Sequence, residues 1–318
     1  MIQLATIGTS TITHQFAAAL KGVEGIGLGG AYSRDAQRAA EAAASLGARR
    51  PWSDFEAMLA SDEVDAVYVA SPNAAHVGQC RAAILAGKHV IVEKPAVLTS
   101  GEWTDLVDLA EQQGVVLMEA MRSAYDPGMA LVRELIAQLG TVRRVSFEYC
   151  QRSSRYDQVL AGQRVNIFDP ALGGGALNDI GVYVASALVD LFGPPDRIRG
   201  EQVLVASGAD GIGAAVAHYP GFVAQLAWSK ITASDRPSVI EGELGTLTID
   251  SVAQPGRLGL HLFGAAPAEH VAEKAGSNLR YEIERFVDLI AGDGSPAADQ
   301  QRTLTTLTVM EAIRASVE

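Results

Sequence analysis

Two short stretches of this sequence bring together groups able to move a proton. Glu93-Lys94-Pro95 closes the apolar run His89–Val92, so a carboxylate and an amine leave a strand end together, with a proline fixing the exit. Burial or a neighbouring positive charge would lower the Lys94 pKa toward neutrality, where an amine can exchange protons. The plainer alternative is a surface ion pair at a strand end, contributing about 0–1 kcal/mol. A proline after Lys94 also makes this bond a candidate for the cis form. In the second stretch Gly173-Gly174-Gly175 opens a helix on which Asp179 and Tyr183 stand four residues apart, hence on one face. An acid and a phenol stacked behind a glycine-rich loop suit a site that grips a substrate hydroxyl. The alternative is a glycine-rich turn feeding a core helix, with Tyr183 buried.

Phosphate recognition has its own signals. A literal GxGxxG occurs at Gly25-Ile26-Gly27-Leu28-Gly29-Gly30, but it follows a helical pattern, whereas the motif must follow a strand and open a helix. The loop in the right place is Gly8-Thr9-Ser10-Thr11-Ile12-Thr13, after the first strand. Only one of the three template glycines is kept there. Gly8 can make the tight turn, and Ser10 is small enough for close phosphate approach at a helix N-terminus. An ordinary capped strand–helix turn is the competing reading. At the end of the second strand, where an NAD site places Asp or Glu for the ribose hydroxyl, the sequence is Tyr32-Ser33-Arg34-Asp35. Ser33, Arg34 and, one turn later, Arg38 favour a 2′-phosphate, so NADP is expected and NAD is possible through Asp35. Ser71-Pro72-Asn73-Ala74-Ala75-His76 follows the third clear strand, at the sheet edge where ligands bind. Asn73 also reads as an N-cap, and His76 as either a ligand contact or a packing histidine.

The elements that must position these groups follow from hydrophobic period. Apolar runs at Ile2–Ile7, Ile26–Tyr32, Val64–Ala70, His89–Val92 and Val115–Met118, with a weaker one near Arg49–Trp52, alternate with helical stretches Ile12–Leu20, Arg34–Leu46, 74–86 and 101–113. That alternation predicts a Rossmann-type, doubly wound parallel sheet over residues 1–121. Over 122–318 the pattern changes to α+β. A helix Pro127–Leu139 precedes strands at Val142–Tyr149, Ile198–Val205, Ala214–Tyr219, Phe222–Trp228, Val239–Glu241 and Thr246–Ile249, and helices Leu279–Ala291 and Asp299–Val317 follow. Tight turns such as Tyr219-Pro220-Gly221-Phe222 predict a large, mostly antiparallel open sheet. The polar loop 151–172, with Arg152, Arg155, Tyr156, Arg164, Asn166 and Asp169, is expected to shape a pocket for a hydroxylated or acidic ligand.

Composition bounds the rest. The chain has 318 residues, 48% of them hydrophobic, and a formal net charge of −12. That acidity argues against nucleic acid or an anionic membrane surface as a partner. No basic residue precedes Lys21, apolar runs fall short of the roughly 18 residues of a membrane span, and the two cysteines, Cys80 and Cys150, form no metal-binding spacing. No metal is expected, and the location expected is cytoplasmic.

Taken in order, these pieces resemble the Gfo/Idh/MocA oxidoreductase family over nearly the whole chain. The resemblance covers Gly8–Thr13, Ser71-Pro72-Asn73 with His76, Glu93-Lys94-Pro95, Met118-Glu119-Ala120-Met121-Arg122 with Pro127, Gly173–Tyr183, Glu241-Gly242-Glu243-Leu244-Gly245 and the last helices. It implies that Gly8, Thr9, Ser10 and Ile12 line a pyrophosphate and that Ser33, Arg34 and Arg38 meet the ribose phosphate. It further implies that Ser71, Asn73 and His76 lie along the dinucleotide, with Glu93, Lys94 and Arg122 near the nicotinamide. Lys94 and Tyr183 would be catalytic, and Asp179, Arg122 and Arg164 would contact a sugar, cyclitol, dihydrodiol or related polyol. Tyr183, where many members carry His, looks like the dihydrodiol dehydrogenase and glucose–fructose oxidoreductase branch. Ala124-Tyr125 departs from the Arg–aromatic pair of many members and leaves substrate contacts there open. Relatives pair through the second sheet, which implies a homodimer or a dimer of dimers. Two other readings remain: a cofactor-binding regulator without chemistry, which the retention of Lys94, Asp179 and Tyr183 opposes, and a redox-neutral glycoside-cleaving enzyme, which a cofactor that never exchanges would favour.

Overall fold

The computed structural model describes residues 1–316. The elements in order are β1 (Ile2–Ile7), α1 (Thr11–Leu20), β2 (Ile26–Tyr32), α2 (Ala36–Leu46), β3 (Arg50–Trp52), α3 (Phe55–Leu59), β4 (Ala66–Val69), α4 (His76–Leu85), β5 (His89–Glu93), α5 (Ser100–Gln113), β6 (Leu117–Ala120), α6 (Pro127–Ile136), β7 (Val142–Cys150), α7 (Tyr156–Leu160) and α8 (Val182–Phe192). There follow β8 (Arg197–Leu204), β9 (Asp210–Tyr219), β10 (Phe222–Ser229), β11 (Ser238–Gly242), β12 (Gly245–Ile249), β13 (Arg257–Leu262), β14 (Ala268–Val271), α9 (Leu279–Ala291) and α10 (Ala297–Ala315). The chain divides into two compact units, Met1–Ala120 with Leu279–Leu304, and Met121–Asn278 with the chain from Thr305 onward.

The first unit is a six-stranded sheet in the order β3-β2-β1-β4-β5-β6, every neighbouring pair parallel. Its central strands are apolar on both faces, as a sheet covered by helices requires: β4 is buried throughout and β5 nearly so. Short side chains let α2 pack closely, through Ala39, Ala42 and Ala43. Helix α5 starts with a capping box between Thr99 and Glu102 and ends at Gly114 in the left-handed region, φ +66°. That ending explains one difference from expectation. The last strand begins at Leu117 rather than Val115, because the Val115 N–H donates back to Ala110 O to close the helix. The glycine-rich run after Gly25 lies inside β2, paired with β1, and opens no helix.

The second unit is built on an eight-stranded sheet in the order β14-β13-β12-β11-β7-β10-β9-β8. All its pairs are antiparallel except β7 with β10. One face alternates into a core with Phe147, Leu226, Trp228, Ile240 and Leu247, against which α8 packs. Two strands, β13 and β14, were not anticipated. The alternation of Leu258, Leu260 and Leu262 in β13 spans only six residues, and β14 is a polar edge strand. The loop expected over 151–172 contains the short helix α7 and two 3₁₀ turns. Helix α10 begins two residues before the expected Asp299, and Val317, its expected end, lies outside the described residues. The stretch Pro170–Phe192 is long and apolar enough by length and composition to cross a membrane, but 78% of that window is buried inside the fold, as in a core helix.

Between the triple glycine and α8 the chain makes a π-helical turn, Leu177–Gly181. Such wide turns leave main-chain groups to be satisfied by side chains and are common at functional sites. Asp210, at the start of β9, accepts from the Leu177 N–H at 2.7 Å and from the Trp228 indole at 3.2 Å. The approach is close because Gly175 carries no side chain: a Cβ there would meet Asp210 Oδ1 at 2.2 Å, and its φ is +135°. Gly175→Ala should therefore lower the unfolding free energy by about 1–3 kcal/mol or more in urea titrations. A variant as stable as the wild type would contradict this account of the turn.

Candidate functional site

The carboxyl ends of the first sheet gather the groups expected to meet a dinucleotide. Gly8 leaves β1 at φ +119°, and a Cβ on it would lie 2.4 Å from Ala70 O at the end of β4. Only glycine permits that approach. Ser10 enters α1 in extended conformation with no side-chain cap, so the first-turn N–H groups of Thr11, Ile12 and Thr13 are available to an anion. Thr9 and Ser10 are exposed and Ile12 is half-buried. At the end of β2, Asp35 Oδ1 accepts the Arg38 N–H at 2.8 Å and caps α2. The carboxylate that would mark an NAD ribose site is thus engaged by backbone, while half-buried Ser33 and exposed Arg34 and Arg38 stand beside it. Burial raises the Tyr32 phenol pKa, opposed by the positive charge of Arg34.

The turn carrying Lys94 is pinned from three neighbouring elements. The Lys94–Pro95 bond is cis. On β4, the Tyr68 hydroxyl donates to Glu93 Oε1 at 2.6 Å, and the Lys94 N–H contacts Glu93 Oε2 at 3.2 Å. On β6, Glu119 Oε1 accepts the Ala96 N–H at 2.9 Å, with Thr303 on its other oxygen at 3.0 Å. Burial raises the Glu119 pKa, the Ala96 N–H, Thr303 and Arg302 oppose the rise, and Glu93 adds to it. The third anchor is His76. Expected along a dinucleotide, it is instead fully buried, its Nδ1 3.1 Å from Pro95 O and its Nε2 2.9 Å from Ser71 O. Its N–H donates to one of these carbonyls according to tautomer. Ser71 itself donates to Gln79 at 2.6 Å. Asn73 does not cap α4. The chain enters that helix through a 3₁₀ turn, Asn73–Ala75. Lys94 is half-buried above these anchors.

Sequence reasoning missed Tyr68 and gave Glu119 no role. The available signal was a phenol and a carboxylate in otherwise aliphatic, fully buried strands, where each must find a partner.

In the second unit the π turn sets Asp179 and Tyr183 on one face. Asn178, inside the same turn, donates to Gly173 O at 3.0 Å and accepts from Arg314. Burial lowers the Arg314 pKa, opposed by Asp210 and Glu311. Tyr183 is 5% exposed. Tyr149 meets its ring edge-on at 5.7 Å, and the Arg122 guanidinium lies 5.4 Å from its centroid, within cation–π range. Asp179 forms an ion pair with Lys230, which follows β10 and which the sequence reading had not singled out. Arg164 has 76% of its side chain exposed and pairs with Asp169 at 2.5 Å, because Asp169 caps the adjoining 3₁₀ turn. Among the described residues, no group of three or more His, Cys, Asp or Glu side chains is placed to hold a metal ion. Cys80 and Cys150 are free thiols, and burial pushes Cys150 up to about 11.

Residues 2–121 match the family model described as "Oxidoreductase family, NAD-binding Rossmann fold", and residues 129–248 match the "GFO/IDH/MocA C-terminal domain". The chain is 39% identical over 316 residues to a scyllo-inositol 2-dehydrogenase (NADP(+)) of Bacillus subtilis, covering 99% of this chain and 96% of that protein. It is 30% identical over 297 residues to a D-xylose 1-dehydrogenase (NADP(+)) of Haloferax volcanii, covering 90% and 88%. A crystal structure of a 3-ketoreductase from Actinomadura kijaniata, in complex with NADP and TDP-benzene, superposes with a TM-score of 0.89 at 22% identity, covering 100% and 98%. That structural likeness establishes the fold.

The His76 anchor has a pH signature. Burial lowers its pKa from 6.5, so the folded chain favours the neutral ring. Its contribution to stability is present above the unfolded value of about 6.5 and is lost as the pH falls through the lower folded value. His76→Gln keeps a donor without that titration. The loss of melting temperature between about pH 6.5 and 5 should be shallower in this variant than in the wild type. Identical pH slopes would contradict a neutral, buried ring.

Proposed function

The chain belongs to the Gfo/Idh/MocA oxidoreductase family, and on that footing we propose that it transfers hydride between NADP and a secondary alcohol or ketone of a cyclitol or sugar-like polyol. Relatives named as NADP(+) dehydrogenases of an inositol and of a sugar support the reaction class. The observation that carries the cofactor choice is the commitment of Asp35 to the α2 cap, beside Ser33, Arg34 and Arg38. An exposed cationic fork favours a phosphate at that position and gives a bare ribose diol no acceptor in compensation.

The residues present fit the cofactor. Gly8 removes the Cβ that would fill the turn, and the uncapped start of α1 offers N–H groups to the pyrophosphate alongside Thr9, Ser10 and Ile12. Ser33, Arg34 and Arg38 would hold the ribose phosphate. Ser71, Asn73 and Arg122 would flank the remainder, with Glu93 and His76 acting beneath it. NADP, when bound, supplies or accepts the hydride. The chain's own residues handle the proton and the orientation. As the alcohol is oxidised, Tyr183 takes the hydroxyl proton as the phenolate, a form the Lys94 ammonium would favour, or Lys94 takes it directly as the neutral amine. The two act as one titrating unit. In the reverse direction the same pair returns the proton to the alkoxide. Asp179 accepts from a substrate hydroxyl and fixes the carbon presented for transfer.

Lys94→Met and Tyr183→Phe should each lower kcat by about 100-fold or more, the usual weight of general acid–base catalysis, with NADPH affinity within about threefold of wild type by fluorescence titration. Near-normal turnover in both variants would overturn the assignment.

A further inference from the structure

Lys230, the ion-pair partner of Asp179, belongs to none of the motifs that mark the fold or the cofactor. Lys230 is 7% exposed, and its side chain reaches the Asp179 carboxylate. Its backbone is fixed on both sides. The Lys230 N–H donates to Gly211 O at 2.8 Å, and Lys230 O accepts from the Ser153 N–H at 2.8 Å. The residue before it is held equally: Ser229 O accepts from Gln151, and the Ser229 hydroxyl oxygen accepts from the N–H groups of Ile231 and Thr232. The ammonium therefore has a set position. Asp179 is no freer, since the π turn that carries it is tied by Asp210 and by Asn178.

A pair this sheltered is a poor source of stability, because desolvation offsets much of the attraction and apolar side chains would fill the space as well. Its chemistry suits a different task. Asp179 retains 28% side-chain exposure against 9% for Lys230, so the carboxylate is the more open end. An ionised carboxylate only accepts hydrogen bonds, and an ammonium only donates them, three at most. A carboxylate offers about four acceptor sites and an ammonium three donors, more than their one mutual contact uses. A single hydroxyl reaches both only by bridging them, donating to Asp179 while accepting from Lys230. Two hydroxyls on adjacent carbons can serve both, one donating to Asp179 and its neighbour accepting from Lys230. The two charges cancel, so the pair has no net attraction for a phosphate or carboxylate on the substrate.

We propose that Lys230 is a specificity-determining residue which, with Asp179, recognises two adjacent hydroxyls of an uncharged substrate. The inference rests on the polyol reading of this site and narrows it to vicinal diols. A site built to hydrogen-bond a hydroxyl discriminates strongly against an analogue lacking it, since its own polar groups are then left without partners.

The test is calorimetric titration of the protein saturated with NADPH, using scyllo-inositol, trans-1,2-cyclohexanediol and cyclohexanol as probes. Wild type should bind each diol-bearing probe at least about tenfold more tightly than cyclohexanol. Lys230→Met should lose about tenfold or more for the two diol-bearing probes and stay within about twofold for cyclohexanol, with NADPH affinity unchanged. Lys230→Arg keeps a charge on Asp179 should the Met variant fold poorly. It replaces a compact ammonium with a planar fork, so the diol preference should again fall. An unchanged preference in the folded variants, equal loss for all three probes, or wild-type protein that prefers no diol would overturn the proposal. Binding and turnover are read separately. A wild-type diol preference that Lys230→Met removes, without any oxidation of the diols by NADP, would sustain the diol clamp and overturn the oxidoreductase reading.

Discussion

A lysine can stand at the carboxyl end of a buried parallel strand only if the turn that carries it has its polar backbone satisfied without water. Three side chains meet that constraint in the first unit. His76 lies between Pro95 O and Ser71 O and donates to one of them, Glu119 holds the Ala96 N–H, and Tyr68 holds the Glu93 carboxylate. They come from α4, β6 and β4, the elements around β5. An unpaired buried backbone group costs about 1–3 kcal/mol, so losing an anchor would both release the shape of this turn and lower stability. The placement of Lys94, and with it any proton chemistry at this edge, depends on them.

The second unit solves the same problem with a different backbone. A π turn widens the helix entry so that Asp179 and Tyr183 share a face, and Asp210, Asn178 and Arg314 take up the polar groups this exposes. Gly175 and Trp228 allow Asp210 to come close enough. Both units thus place the candidate site residues at or beside irregular turns, which buried polar groups fix in position.

The fold was largely legible because its signals are local. The apolar runs at Ile2–Ile7 and Ile26–Tyr32 coincide with β1 and β2, and the helix at Leu279–Ala291 coincides with α9. The parallel pairing of β7 with β10 was not, since it joins strands more than seventy residues apart. Strand β13 was hidden by its short length, six residues, and β14 by its polar edge character. At the site, spacing alone put Asp179 beside Tyr183 and Lys94 at a strand end. It could not show that His76 works from beneath the edge, because a histidine on a first helical turn looks the same whether it faces ligand or core. Nor could it pair Lys230 with Asp179, fifty-one positions away, or reveal that Asp35 is taken up by its own helix. Those contacts come from tertiary packing, which leaves no periodic trace.

The central claim is that a hydride passes between a substrate carbon and NADP. The most direct measurement is to incubate the protein with NADP and scyllo-inositol deuterated at every ring carbon, and to determine the mass of the reduced cofactor. The account predicts NADPH one mass unit heavier than that formed from unlabelled inositol, and much less NADH formed when NAD replaces NADP. Reduced cofactor without deuterium, or NADH formed as readily as NADPH, would contradict it.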